Sequence, residues 1–162
     1  MSNIVIVDLD GTLADGSHRM HLLPPNDKRD RTEDWDEFSL AAGGDAPLQK
    51  TIDLVNILYD SGKRIVILTG RCDVARGLTI DWLERAGVPY DDLIMRKAGD
   101  HRQDTIIKEE VVREIGLSKI MLCLDDLPHV VSHLRSLGLV CYQVAAIDEM
   151  YVAKNKGAGT TA

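Results

Sequence analysis

The chain lacks the features that would send it into a membrane, an oxidising compartment or the groove of a duplex. No apolar run in it approaches the ~20 residues of a membrane span. Cysteines number three, an odd count without the spacing of a metal site, which points to a reducing, cytoplasmic setting. Cys123 and Cys141 fall within apolar strands and read as core residues, while nothing near Cys72 marks it as a nucleophile. Lys and Arg total 19 against 26 Asp and Glu, a net charge of −7. The broad basic surface of a protein that grips duplex through many phosphates is therefore missing. That shortage does not touch an enzyme that meets only the end of a strand. The N-terminus runs straight into a strand bearing an acidic motif, which leaves no room for a cleaved signal peptide. At 162 residues, 44% hydrophobic and 28% charged, one soluble globular domain is expected.

What the sequence does have is concentrated at the ends of short apolar runs. Val5-Ile6-Val7-Asp8-Leu9-Asp10-Gly11-Thr12-Leu13 reads as a buried strand that breaks into two aspartates, a glycine and a hydroxyl. On a straight strand such carboxylates would share a face, but where the chain turns they can converge on one site. Oxygen-only donors of this kind suit a hard divalent cation and a phosphoryl group. Alone, two aspartates would also suit an acidic loop after a core strand. Two further apolar runs end in polar groups: Ile65–Leu68 in Thr69-Gly70-Arg71, and Ile120–Leu124 in Asp125-Asp126. Between them lies Lys108, in an amphipathic segment beginning near Thr105.

From Pro47 onward one grammar repeats: helix, glycine, strand. Leu48, Ile52, Val55 and Leu58 precede Gly62; Val74, Leu78 and Trp82 precede Gly87. Ile107, Val111 and Ile115 precede Gly116, and Val130, Val131, Leu134 and Leu137 precede Gly138. Glycine just past a helix end supplies the left-handed cap, and Pro47 and Pro128 suit first turns. The alternation predicts an α/β fold, a three-layer, Rossmann-like, doubly wound and mostly parallel five-stranded sheet. Strands are expected near 3–7, 64–68, 92–95, 119–124 and 139–144. Ligands bind beyond the carboxyl ends of such strands, where the acidic motifs fall. Residues 14–46 break the grammar and are expected to form a small cap insertion, or else a solvated excursion. The domain is expected to span 1–153, with 154–162 a disordered tail.

The string Asp-x-Asp-Gly-Thr-Leu, a Ser/Thr at a strand end, a lysine and a late acidic pair together resemble the haloacid dehalogenase-like phosphohydrolases. That resemblance implies Mg²⁺ as cofactor and an aspartyl-phosphate formed on Asp8. It implies Asp10 as general acid, with its backbone carbonyl on the metal, and Thr69 and Lys108 on the phosphoryl group. Asp8, Asp10, Asp125 and Asp126 would make up the metal site, either of the last two being the direct ligand. Lys97, nearer the preceding strand, is the weaker choice for the lysine. Gly70 and Arg71 follow Thr69, and an arginine there can fork to phosphate oxygens as lysine cannot.

A narrower resemblance rests on Thr69-Gly70-Arg71, Gly99-Asp100-His101-Arg102, Ile107-Lys108-Glu109-Glu110, Asp125-Asp126 and the closing stretch 138–145. It is similar to the 3′-phosphatase domain of bacteriophage-type polynucleotide kinase-phosphatase, which would place it in a host cytoplasm if phage-encoded. Arg102 and Asp104 belong to that likeness. No Gly-x-x-x-x-Gly-Lys-Ser/Thr loop occurs in the sequence, so a kinase half is not expected in it. The implied substrate is a phosphorylated nucleic-acid 3′ end, with a 5′- or 3′-mononucleotide as the alternative and a non-catalytic binding module more remote. His18, Arg19, Lys28, Arg29 and Arg31 make the insertion locally basic, and Trp35 could stack on a base. The same basic residues could instead pair with Asp27, Asp30, Glu33, Asp34 and Asp36. No membrane partner is implied, and a homo-oligomer is compatible with the sequence.

Overall fold

The computed structural model describes residues 1–144; the expected tail at 154–162 and the end of the expected domain lie outside the described residues. In chain order the strands are β1 (Ile4–Val7), β2 (Ala14–Asp15), β3 (Ala46–Pro47), β4 (Arg64–Cys72), β5 (Asp92–Arg96), β6 (Ile120–Asp125) and β7 (Cys141–Gln143). The α-helices are α1 (Asp36–Leu40), α2 (Gln49–Asp60), α3 (Arg76–Arg85), α4 (Asp104–Ile115) and α5 (Pro128–Ser136). Five strands form one sheet in the order β5-β4-β1-β6-β7. Every pairing within it is parallel. The expected doubly wound α/β architecture is therefore present.

Strand periodicity sorts the core into two layers. Val5, Val7, Ile65 and Ile67 face one side, where Ile52 and Val55 of α2 and Trp82 and Leu83 of α3 cover them. Ile6, Val66 and Leu68 face the other, against Val112 of α4 and Val130, Val131 and Leu134 of α5. A sheet covered on both faces can be apolar throughout, which is why these strands show no polar alternation.

Three expectations need correction. Val74 is 44% exposed rather than part of the α3 stripe; it lies in a 3₁₀ turn (Asp73–Ala75) before the helix. The buried face of α3 is Thr79, Trp82 and Leu83. Pro47 is not in the first turn of α2. It closes β3, paired with Ala14 of β2, a two-residue ribbon where a missing N–H costs little. Finally, β4 does not stop at Leu68. It runs on to Cys72, and its register against β5 slips so that Thr69 faces Met95 while Cys72 faces Arg96. Gly70 and Arg71 bulge out between them, as bulges do beside active sites.

The β2–β3 ribbon is the stem of the insertion. Between its strands the chain makes short 3₁₀ turns and α1. Its outer part is fastened to the loop after β5, where the Thr32 N–H donates to His101 Nδ1 (3.1 Å). The Gly99 N–H donates back to Thr32 Oγ1 (3.0 Å).

Because Leu83 is fully buried and Val74 is not, alanine should separate them. Leu83→Ala is expected to cost about 2–5 kcal/mol and Val74→Ala less than about 0.5 kcal/mol, measured by urea denaturation.

Candidate active site

The sheet delivers the acidic motifs to one edge. Asp8 follows β1 directly, and its N–H still pairs with Leu124 O of β6 (2.9 Å). The chain then turns sharply through Gly11 at φ 79°. A side chain at Gly11 would collide with the Asp126 carboxylate, so this glycine is demanded by close approach as well as by the turn. Carboxylate oxygens of Asp8, Asp125 and Asp126 lie within 4.8 Å of one another, and all three residues are buried. Thr12 Oγ1 reaches weakly toward Asp8 Oδ2 (3.4 Å) and Asp126 Oδ1 (3.5 Å).

Lys108, not the exposed Lys97, reaches this cluster. It is 3% exposed on the inner face of α4. Its Nζ donates to Asp8 Oδ1 (2.9 Å) and Asp125 Oδ2 (2.8 Å), with Asp104 Oδ2 one helical turn back at 3.3 Å. Asp125 Oδ1 accepts the Leu127 N–H (3.0 Å). Burial, together with repulsion from Asp125 and Asp126, raises Asp8 well above the ordinary carboxylate range despite Lys108. Burial would lower Lys108, but Asp8, Asp104 and Asp125 outweigh it and raise it.

Asp10 sits apart from that cluster and is governed by two arginines. Its Oδ1 accepts from Arg19 Nη2 (2.6 Å) and Arg71 Nη2 (2.5 Å), and its Oδ2 from Arg71 Nε (3.2 Å). Burial pushes its pKa up, but Arg71 and then Arg19 outweigh it and hold Asp10 below its ordinary value. Arg71, expected to fork toward phosphate, spends its guanidinium on Asp10, on Thr79 Oγ1 (3.0 Å) and, more distantly, on Asp45 (3.4 Å). The bulge turns the side chain that way, with the Arg71 N–H bonded to Thr69 Oγ1 (3.1 Å).

Thr69 and Gly70 border a cavity of about 450 Å³ that has Asp8 and Asp10 among its lining residues. The insertion contributes Trp35 and Phe38 to its wall, and the loop after β5 contributes His101 and Arg102. Arg102 is half exposed and bonded to Asp100 (2.9 and 2.8 Å) and Glu110 (2.7 Å). This pairing, more than any other influence, pulls Asp100 down to about 2.

Sequence reasoning missed three residues. Arg96 ties the bulge to the cavity loop through Gly70 O (3.0 Å), Asp100 O (3.0 Å) and Arg102 O (2.6 Å). Arg19, read from the sequence only as one of the residues that make the insertion basic, is 1% exposed and pairs with Asp10 and Asp45. Asp45, buried beneath both arginines, had a visible signal: a lone carboxylate within Ala41-Ala42-Gly43-Gly44-Asp45-Ala46-Pro47.

Residues 2–148 match the family described as the polynucleotide kinase PNKP phosphatase domain. The chain belongs to that family. This PNKP-type domain is thus a phosphatase, on the haloacid dehalogenase-like fold. It is similar to a chain in a solved Pnkp1/Rnl/Hen1 complex, at 30% identity and TM-score 0.70, covering 88% of this chain and 46% of that one. A second structure, of the Pnkp1/Rnl/Hen1 RNA repair complex, matches at 31% identity and TM-score 0.69, over 87% of this chain and 42% of that one. The domain thus spans less than half the length of either relative. L-2-haloacid dehalogenase from Xanthobacter autotrophicus shares the fold at 14% identity and TM-score 0.61, over 100% of this chain and 85% of that one.

The raised Asp8 pKa makes the metal-free folded protein bind a proton more tightly than the unfolded chain does. The stability this gives is complete below the ordinary carboxylate range and is lost as pH rises through the raised value. In EDTA, as pH rises above the ordinary carboxylate range, Asp8→Asn should melt increasingly above wild type. Parallel melting curves would show that Asp8 does not carry this strain.

Proposed function

We propose that this phosphatase uses Mg²⁺ and an aspartyl-phosphate on Asp8 to remove a 3′-phosphate from the end of a nucleic-acid strand. One observation carries the mechanism: the Asp8 carboxylate lines the cavity while its Oδ1 is pinned by Lys108 at 2.9 Å. A carboxylate so held is aimed, and the ammonium offsets the charge that an incoming phosphoryl group would meet.

The donor set fits a hard cation. It is all oxygen, buried, and brings three carboxylates together beside one lysine. Asp8 and Asp126 would hold Mg²⁺ directly, with the Asp10 backbone carbonyl as expected from the sequence. Asp125, whose two oxygens serve Lys108 and the Leu127 N–H, would orient the site. When bound, Mg²⁺ supplies charge neutralisation between the anionic nucleophile and the anionic phosphate.

Asp8 attacks phosphorus and the bond to the leaving oxygen breaks, with Thr69 beside the phosphoryl group. Asp10 gives a proton to that oxygen and later takes one from the water that opens the aspartyl-phosphate, releasing phosphate. The ionised Asp10 of the resting site is the form needed for the second step. For the first it must be protonated, and the negative charge of a phosphoryl group arriving beside it raises its affinity for a proton.

The strand-end substrate is supported by the likeness to chains from an RNA repair complex. It is supported too by the cavity wall, where Trp35 and Phe38 meet edge to face, 5.9 Å apart, with Arg29 beside them. Bases stack on such surfaces without sequence preference. One observation favours a mononucleotide instead: Arg102 and Arg31 are paired with Asp100, Glu110 and Glu33 of the chain itself. That leaves less positive charge for a run of phosphates.

Purified protein with Mg²⁺ should hydrolyse a 3′-phosphorylated oligonucleotide faster than a 5′-phosphorylated one or free 3′- and 5′-mononucleotides. Preference for a mononucleotide would select the alternative. Asp8→Asn should lose at least ~10³-fold in turnover, and EDTA should abolish activity until Mg²⁺ is restored, with Ca²⁺ a poor replacement. Full turnover in chelated buffer would overturn the metal assignment.

A further inference from the structure

We infer that Asp45 is a positioning residue for proton transfer, holding the two arginines that aim the Asp10 carboxylate at the leaving oxygen. The inference rests on the phosphatase mechanism above, with Asp10 as proton donor.

Asp45 is the last residue before β3 and its side chain is fully buried. Its Oδ1 accepts from Arg19 Nε (2.7 Å) and its Oδ2 from Arg19 Nη2 (2.7 Å), a two-pronged grip that fixes the plane of the guanidinium. Arg19 Nη2 is the same nitrogen that donates to Asp10 Oδ1 at 2.6 Å. Arg71 Nη2 also stands between Asp10 (2.5 Å) and Asp45 Oδ2 (3.4 Å). The four groups therefore form a closed, formally neutral set: two aspartates, two arginines. Three of them are buried, while Asp10 is about one-third exposed toward the cavity.

Asp45 is itself anchored from several directions. His18 Nε2 lies 2.9 Å from its Oδ1. Its backbone carbonyl accepts the Trp82 indole N–H of α3 at 2.8 Å, which ties it to the core. Phe38 covers the Arg19 guanidinium, its ring centroid 4.0 Å from Cζ, and accepts Arg19 Nη1 at its carbonyl (3.0 Å). Small residues keep the space: a side chain at Gly16 would press on Arg19 at 3.1 Å, and one at Gly44 on His18 at 3.2 Å. The output of this arrangement is the direction in which Asp10 points.

A misdirected proton donor hurts most where the leaving oxygen needs the proton. Alkyl phosphates, such as a 3′-phosphorylated oligonucleotide or a 3′-mononucleotide, leave as strongly basic alkoxides. p-Nitrophenyl phosphate leaves as a stable phenolate and needs little help. In Asp45→Asn one charge and one prong of the grip are lost at nearly constant shape. kcat/KM, which reports departure of the leaving group and not the later water step that all substrates share, should fall by about 30- to 100-fold for the alkyl substrates and by no more than about threefold for p-nitrophenyl phosphate, the scale expected of a small misplacement. Asp10→Asn, assayed alongside, should show the same selectivity. The Asp10→Asn/Asp45→Asn double variant should be no worse than Asp10→Asn alone, because both act through one side chain.

Where Asp45→Asn does not fold, as judged by its melting transition, Arg19→Lys carries the same test. Lysine keeps the charge but cannot bridge both carboxylates. Equal losses on both substrate types, additive losses in the double variant, or no loss would each overturn the inference while leaving a selective Asp10→Asn effect, and the mechanism, in place. A non-selective Asp10→Asn would remove the mechanism and the inference together.

Discussion

Burying like charges is the constraint on which the rest of this molecule depends. Asp8, Asp125 and Asp126 are drawn from the ends of two neighbouring strands into one buried cluster, their oxygens within 4.8 Å of one another. Such a cluster is tolerated only if cations are built in beside it. Lys108 is one, placed on α4 so that its stem crosses the core face and its ammonium ends between Asp8 and Asp125. Much of the neighbouring architecture serves that arrangement. Gly11 clears the approach of Asp126, the Leu127 N–H occupies the second oxygen of Asp125, and the core around Val112 seals the helix against the sheet.

Asp10 is handled by the opposite strategy. Its carboxylate is turned out of the cluster and given arginines of its own, so two acids two residues apart meet opposite electrostatic fates. Asp8 is raised by burial and crowding, whereas the Arg71 and Arg19 guanidiniums overcome burial and lower Asp10. Neither shift by itself matches the proposed role, since a nucleophile must be ionised and a proton donor protonated, so the charges of the occupied site have to reset both. The β4 bulge contributes directly, because it lets Thr69 border the cavity while Arg71 reaches back to Asp10.

The fold was readable in the sequence because its signals are local. Apolar runs such as Ile65–Leu68 and Ile120–Leu124, each following a glycine-capped helix, carry their own period and punctuation. The glycines at 62, 87, 116 and 138 adopt the positive φ that helix ends favour. Asp8, Thr69, Lys108 and Asp125 could be picked out because each falls at the end of such an element or on its helix. What stayed hidden was partnership across distance. Arg19 and Asp45 lie 26 positions apart across the 3₁₀ turns and α1 of the insertion, and no periodicity couples them. Arg71 was legible as a cation near the site, but its direction depended on a bulge that register alone reveals. The insertion was the hardest part, since 3₁₀ turns carry no repeating pattern and a basic side chain there looks the same whether solvated or buried.

The sheet order has a consequence for how the molecule is made. The first strand of the domain in sequence is the middle strand of the finished sheet, with Ile4 in register with Arg64 on one side and Ile120 on the other. It cannot be completed by its neighbours in sequence. Contacts that wait on so distant a segment close late, after the loop entropy between them has been overcome. A nascent chain lacking β6 has no Asp125 and no Asp126, and the carboxylates of Asp8 and Asp10 remain apart from any cluster. The charge-crowded centre, the least forgiving part of the molecule, is therefore assembled only after α2, α3 and the strands they cover have been made.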